Sequence, residues 1–182
     1  PSEDYFILAP SSIMFNQYGK EYLDTFVELI EKLAVKYKPV IVVHNFTKND
    51  DSSDLVLCRE LHRLTAAYDP VLLEDELPPS EFKGVFSEAK FSISSRYHVV
   101  VGSFSVNTPA FAIGWNHKYE EFLGLYDMKF LNLKFDEVLV TNVLERLARI
   151  EDASFYSKEI SSRNASLKIR VKESLNVMLE SL

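Results

Sequence analysis

The chain has 182 residues, of which 47% are hydrophobic and 26% charged, enough apolar material for the core of one domain. Its formal net charge of −7 argues against a nucleic-acid partner, because such a surface needs a basic face that displaces counterions. Cys58 is the single cysteine, which excludes a disulfide framework and favours a reducing, cytoplasmic setting. No apolar run approaches the roughly 18 residues of a membrane span, so we do not expect an integral membrane protein.

Short β-branched runs alternate with longer segments of helical periodicity along the chain. The predicted strands cover residues 5–10, 40–43, 71–73, 91–94 and 109–115, with a short sixth at 129–131. The predicted helices cover residues 20–37, 54–67, 78–90, 96–106, 117–125, 136–150 and 152–182. This alternation predicts an α/β fold, a Rossmann-like parallel sheet flanked by helices on both faces. We assign residues 1–150 to this domain and residues 151–182 to a C-terminal helical tail.

Polar residues stand at the carboxyl ends of four predicted strands, where open α/β sheets bind their ligands. They are Ser11 and Ser12 after the first strand, His44 and Asn45 after the second, Ser94, Ser95, Arg96, Tyr97 and His98 at the end of the fourth, and Lys118 after the fifth. Because parallel strands end at one edge of the sheet, we expect these side chains to share a crevice.

The segment SSRYH has the chemistry of an anion site. We expect Ser95 to cap the following helix, whose first-turn N–H groups and dipole would then favour a phosphate or carboxylate. Arg96 adds a planar fork suited to such a group, and His98 is of the residue type that changes protonation near neutral pH. The alternatives are a surface salt bridge for Arg96, a core position for His98 and a solvated first-turn position for Lys118.

Three acidic residues, Asp50, Asp51 and Asp54, are close in sequence, but no histidine or cysteine completes a metal-ligand spacing with them. We interpret them as a solvated helix-capping loop and predict neither a metal site nor a cofactor. The sequence also lacks G-x-G-x-x-G after the first strand, G-x-x-x-x-G-K-[ST] and G-x-S-x-G. Their absence lowers the support for an NAD enzyme, a P-loop NTPase and an α/β-hydrolase.

The run SSRYH, the apolar helix after it, the strand in NTPAFAIGW and the segment HKYEEFLGL together resemble the C-terminal part of the polysaccharide pyruvyl transferase family. The resemblance covers about residues 4–131 and is specific between residues 94 and 125. By position, Ser94, Arg96 and His98 match the serine, arginine and histidine of the family motif, and Lys118 matches its downstream lysine. Asn107 and Thr108 stand where the family usually has a glycine turn.

The resemblance implies one half of a GT-B type transferase that moves the pyruvyl group of phosphoenolpyruvate onto sugar hydroxyls of a surface or extracellular polysaccharide precursor. It implies phosphoenolpyruvate as co-substrate, a carbohydrate acceptor, and an N-terminal acceptor domain that these 182 residues do not include. His98 and Lys118 are then the expected catalytic residues, and the other candidates contact substrate. We expect a cytoplasmic protein, and a peripheral position at the inner face of the membrane is compatible with this location. A glycosyltransferase of the same architecture that uses a nucleotide sugar, and a non-catalytic anion-binding scaffold, stay open as alternatives.

Overall fold

Six parallel strands form one sheet in the order β3-β2-β1-β4-β5-β6. The structure is a computed structural model that describes residues 3–47, 53–76, 78–114, 116–136, 139–150 and 153–180. The strands are β1 (Tyr5–Ala9), β2 (Lys38–Val42), β3 (Val71–Leu73), β4 (Ser92–Ser94), β5 (Ala110–Ile113) and β6 (Asn132–Leu133). The strand order reverses between β1 and β4, which opens a crevice at their carboxyl ends. The predicted Rossmann-like α/β fold is confirmed.

The helices occupy the connections between these strands and the C-terminal part of the chain. They are α1 (Ser12–Tyr18), α2 (Lys20–Leu33), α3 (Asp54–Leu64), α4 (Pro79–Ser87), α5 (Tyr97–Ser105), α6 (His117–Gly124), α7 (Leu139–Arg149) and α8 (Ala153–Glu180). The short helix α1 was not predicted. It ends at Gly19, whose φ of 60° turns the chain directly into α2.

The sixth strand was predicted at the wrong place. Lys129–Leu131 is a single 3₁₀ turn, and β6 begins just after it at Asn132. Met128 and Leu131 are both buried and lie three residues apart, a spacing that a 3₁₀ turn aligns on one side. The Trp115 end of the predicted fifth strand lies outside the described residues.

Apolar side chains pack on both faces of the sheet. Along β1, Phe6 and Leu8 belong to a large cluster on one face, whereas Tyr5, Ile7 and Ala9 belong to a smaller cluster on the other. This alternation follows from the two-residue period of a strand, and both faces are covered because helices flank the sheet on both sides.

Helix α5 contributes to both clusters, since Val99 packs in the smaller one and Val100 and Phe104 pack in the larger. The low polarity of its sequence is therefore explained by burial. Its first turn, which carries Tyr97 and His98, is less buried and faces the crevice.

Helix α8 has 28 residues and is about 42 Å long. Its side chain Asn164 donates to the carbonyl oxygen of Phe104 over 2.7 Å and accepts from the Tyr126 hydroxyl over 2.8 Å. These bonds join the helix to the end of α5 and to the segment after α6. The domain boundary at residue 150 stays a prediction. Within the described part of the chain, no helix has the length and apolar content needed to cross a membrane.

Candidate functional site

A cavity of about 350 Å³ opens at the carboxyl ends of β1 and β4, and we call it the polar cavity. Its walls come from the segments after β1, β2, β4 and β5. The lining residues are Ser11, Ile13, Met14, His44, Asn45, Ser95, Arg96, Tyr97, His98, Asn116, Lys118 and Tyr119. Eight of the ten candidate residues are therefore brought together. Ser12 and Ser94 do not line the cavity but support residues that do.

Asp54 is the residue of the site that the sequence analysis misread. Its side chain is 0% exposed, so the interpretation of a solvated capping loop is wrong for this residue, while Asp50 and Asp51 lie outside the described residues. The Ser12 amide donates to Oδ1 over 2.9 Å and the Asn45 amide donates to Oδ2 over 3.1 Å. One carboxylate thus joins the segments after β1 and β2. The only signal for it in the sequence is its place at the start of a helix that follows a strand.

Arg96 completes this arrangement from the segment after β4. Its Nε donates to Oδ2 of Asp54 over 2.9 Å, and its Nη2 donates to Oδ1 of Asp54 and, over 3.1 Å, to Oγ of Ser12. The alternative of a salt bridge for Arg96 is correct, but its surface position is wrong, because the Arg96 side chain is only 14% exposed and Asp54 is buried. The planar fork that was predicted to hold a ligand anion is instead paired with Asp54, and Nη1 is the nitrogen outside these bonds.

The expected capping role of Ser95 is also wrong. The N-cap residue of α5 is Arg96, and its amide donates over 2.9 Å to Oγ of Ser94, which itself donates to the carbonyl oxygen of Ala9. Ser94 therefore fixes the turn between β4 and α5 and ties it to the end of β1.

Two tyrosine hydroxyls hold Ser95 in place. The Tyr22 hydroxyl donates to Oγ of Ser95 over 2.8 Å and accepts from the Ser11 amide, and the Tyr119 hydroxyl donates to the carbonyl oxygen of Ser95 over 2.9 Å. Burial raises the pKa of Tyr119 to about 12 and raises that of Tyr22 further. Both hydroxyls therefore stay protonated near neutral pH and can act as donors.

Lys118 lies in the first turn of α6, where the amide of the same residue donates to Oδ1 of the N-cap Asn116. Its Nζ lies 4.8 Å from the centroid of the Tyr97 ring and 5.8 Å from that of Tyr119. Cation–π contacts hold the ammonium group over the cavity without neutralising its charge. Among the described residues, no carboxylate lies within ion-pair distance of Lys118.

His44 and His98 stand side by side, with ring centroids 6.1 Å apart. His98 is exposed, so the alternative of a core histidine is wrong, whereas His44 is half-buried. Burial lowers the pKa of His44, and the positive charge of Arg96 lowers it further. Both effects favour the neutral form of the His44 imidazole.

The electrostatics of the polar cavity differ from those of the whole chain. Its described lining includes Arg96, Lys118 and two histidines, and no carboxylate. The N-termini of α5 and α6 also open onto it with the positive ends of their helix dipoles, although in α6 the amides of Lys118 and Tyr119 already donate to Asn116. A chain of net charge −7 therefore has a local site suited to an anion.

The chain is similar in sequence to one protein family. Residues 6–117 match the family model described as polysaccharide pyruvyl transferase. No curated protein shows significant similarity to the chain.

Similar folds occur among solved structures. The co-structure of S. aureus MnaA with UDP has a TM-score of 0.60 at 16% identity. The aligned region covers 96% of this chain and 46% of the MnaA chain. The UDP-GlcNAc 2-epimerase from Neisseria meningitidis bound to UDP-GlcNAc has a TM-score of 0.58 at 16% identity, and the aligned region covers 97% of this chain and 45% of the epimerase chain. The chain thus spans less than half the length of these structures, and the likeness shows the fold.

Proposed function

Because this chain belongs to the polysaccharide pyruvyl transferase family, we propose that its polar cavity binds phosphoenolpyruvate as the pyruvyl donor. The observation that carries the proposal is the cationic lining, in which the Lys118 ammonium has no carboxylate partner among the described residues. Phosphoenolpyruvate carries a phosphate and a carboxylate on one small carbon frame, and such a ligand needs several fixed positive groups. Lys118 and the N-termini of α5 and α6 provide them.

Arg96 takes a different part from the one that the family resemblance implies. Since Asp54 compensates most of its charge, Arg96 holds the turn before α5 and offers only Nη1 to a ligand. The donor is then bound chiefly by Lys118 and the backbone N–H groups, and the Asp54–Arg96 pair fixes the position of those groups.

The proposed reaction forms a cyclic ketal. The methylene carbon of phosphoenolpyruvate takes up a proton, and a first sugar hydroxyl adds to the neighbouring carbon and loses its proton. The bond between this carbon and the phosphate oxygen then breaks. A second sugar hydroxyl adds to the same carbon, and the proton of that hydroxyl leaves with the phosphate. Two C–O bonds form and one C–O bond breaks, so sugar and phosphoenolpyruvate give ketal and phosphate without another reactant.

His98 is the proposed acid/base residue, because an exposed imidazole beside the cavity can deliver a proton to the methylene carbon and accept one from a hydroxyl. Lys118 stabilises the departing phosphate by its charge. The acceptor is a carbohydrate, in keeping with the family. This scheme uses no metal or cofactor. We propose a cytoplasmic location because the chain has a single cysteine.

Calorimetric titration of phosphoenolpyruvate into the chain tests the proposal. We expect saturable binding that weakens about tenfold or more in Lys118→Gln, since a charge-assisted contact to the anion is lost. The matched control is Lys32→Gln, which removes the same charge from an exposed position on α2 and should leave the affinity unchanged. Equal affinity in both variants, or saturable binding of UDP with none of phosphoenolpyruvate, would contradict the proposal. The second result would favour a glycosyltransferase.

A further inference from the structure

A second cavity of about 350 Å³ lies beside the polar cavity, and the two share His44 and His98 as their common wall. Most of its lining is apolar, with Val43, Leu73, Phe46 and Phe82 among the residues. Exposed charged groups stand at it as well, namely Asp75, Glu76 and Lys83. We call this space the aromatic cavity, and no step of the proposed donor binding uses it.

We infer that the aromatic cavity is this domain's part of the seat for the sugar ring of the acceptor, beside the contacts expected from an N-terminal acceptor domain; the inference rests on the proposed function. Both oxygen atoms of the ketal bond to one carbon of the donor, so the acceptor must lie against the donor and against the acid/base residue. Two cavities lined by described residues share part of their lining with the polar cavity. The aromatic cavity shares His98 with it, whereas a third cavity of about 310 Å³ shares only Met14 and Asn116. His98 therefore selects the aromatic cavity.

The charges that line the two cavities lead to the same assignment of donor and acceptor. The polar cavity has cations and no carboxylate in its described lining, so it suits the anionic donor. The aromatic cavity has the carboxylates of Asp75 and Glu76, which would repel that donor but can accept hydrogen bonds from sugar hydroxyls. A neutral polyhydroxylated ring fits the second environment better than the first.

The aromatic side chain needed for a sugar ring is also fixed. Phe82 is half-buried, with its ring centroid 4.6 Å from that of Phe86 and 5.9 Å from that of His44. The negative face of an aromatic ring attracts the partly positive C–H groups on one side of a pyranose. Phe82 and His44 thus both lie between the seat of the sugar ring and the donor. The His44 imidazole, whose neutral form is favoured by burial, can accept a hydrogen bond from a reacting hydroxyl.

The test is a titration of the ¹⁵N-labelled chain with the methyl glycosides of galactose, glucose, mannose and N-acetylglucosamine, each with and without phosphoenolpyruvate. We expect at least one glycoside to shift the amide signals of Phe82, Lys83 and Gly102 in a saturable manner. Glu76→Gln should weaken this binding about tenfold or more, the size of one hydrogen bond to a charged acceptor. Glu120→Gln makes the same change at the third cavity and should leave it unaltered.

Each outcome separates the acceptor seat from the donor site. Shifts that cluster at Glu120 and Asn132 would overturn the inference and place the acceptor in the third cavity. Absence of any shift at Phe82 with all four glycosides, under both conditions, would overturn it as well. Saturable shifts at Phe82 in a chain that does not bind phosphoenolpyruvate would support the sugar site and count against the proposed donor alone.

Discussion

At the scale of single residues, Asp54 has more structural consequences than any predicted site residue. Its carboxylate accepts hydrogen bonds from two backbone amides and from the Arg96 guanidinium, and these partners lie in three different segments of the chain. A buried carboxylate without such partners would be strongly unfavourable, so the four bonds explain why an acidic side chain can lie beneath the site.

We predict that Asp54→Asn lowers the free energy of unfolding by about 3 kcal/mol, because the buried Arg96 charge loses its partner. Urea unfolding measures this quantity. The control is Glu60→Gln, which removes one carboxylate from an exposed i,i+3 pair with Arg63 and should change stability far less. A loss no larger than that of the control would show that the Asp54–Arg96 pair does not organise the site.

For His98→Gln we expect turnover to fall about a hundredfold or more, since general acid–base catalysis commonly contributes that much. Phosphoenolpyruvate affinity should stay close to that of the wild type, because Lys118 and the helix N-termini remain. The measurements are phosphate release in the presence of acceptor and calorimetric binding of the donor. A variant that retains turnover would remove His98 from the mechanism.

Protonation of His44 should make the chain less stable in mild acid. Burial lowers its pKa in the folded chain, the Arg96 charge lowers it further, and His98 acts in the same direction against the opposing charge of Asp54. As the pH falls below about 6.5, the unfolded chain takes up a proton that the folded chain does not, and the free energy of unfolding decreases.

His44→Gln is the matched variant for this effect. Its free energy of unfolding should decrease less steeply than that of the wild type between about pH 7 and pH 5, as measured by urea unfolding at several pH values. Parallel curves for the two proteins would show that His44 does not carry the acid sensitivity.

At the scale of elements, the contact between β5 and α6 depends on a glycine. A Cβ atom at Gly114 would lie 2.4 Å from the Tyr119 ring, too close for any side chain. We predict that Gly114→Ala displaces this ring, breaks its hydrogen bond to Ser95 and weakens phosphoenolpyruvate binding. Gly84→Ala is the control, because nothing lies within 4 Å of the added methyl group in α4 and helix propensity favours alanine. Equal donor affinity in the two variants would contradict this account.

The elements differed in how well their sequence predicted them. Strands β1 to β5 were located correctly to within two residues, and β3 at its predicted bounds. Strands β1, β2 and β5 are short, mostly apolar runs buried on both faces. Helix α1 has only seven residues and begins with a serine, so its pattern is too short to show a helical period. The 3₁₀ turn before β6 has the same residue types as a strand and differs only in the spacing of its buried positions.

For the site, too, local sequence patterns predicted some features and not others. The residues at the strand ends were predictable because parallel strands bring their carboxyl ends to one edge, and eight of ten candidates line the polar cavity. The pairing of Asp54 with Arg96 was not, because the two residues are 42 positions apart and no local pattern relates them. Helix-start chemistry correctly suggested Asp54 as a first-turn residue, but it says nothing about burial.

At the scale of the whole molecule, the fold places two cavities of different polarity at one edge of the sheet. The crevice at the reversal of strand order gives the anion site, and the neighbouring space under α4 gives the aromatic cavity. The same sheet edge thus has a cationic cavity and a mainly apolar cavity on either side of one histidine pair.

The Asp54–Arg96 pair also has a consequence for how the chain is made. Ser12 and Arg96 are 84 residues apart, so their contact closes one of the longest loops in the domain and should form late in folding. During synthesis, the segments after β1 and β2 leave the ribosome well before Arg96 does. A nascent chain that stops short of β4 therefore has an acidic residue where the finished protein has a neutral pair. The cationic lining of the polar cavity is therefore assembled only when β4, β5 and the segments after them have joined the sheet.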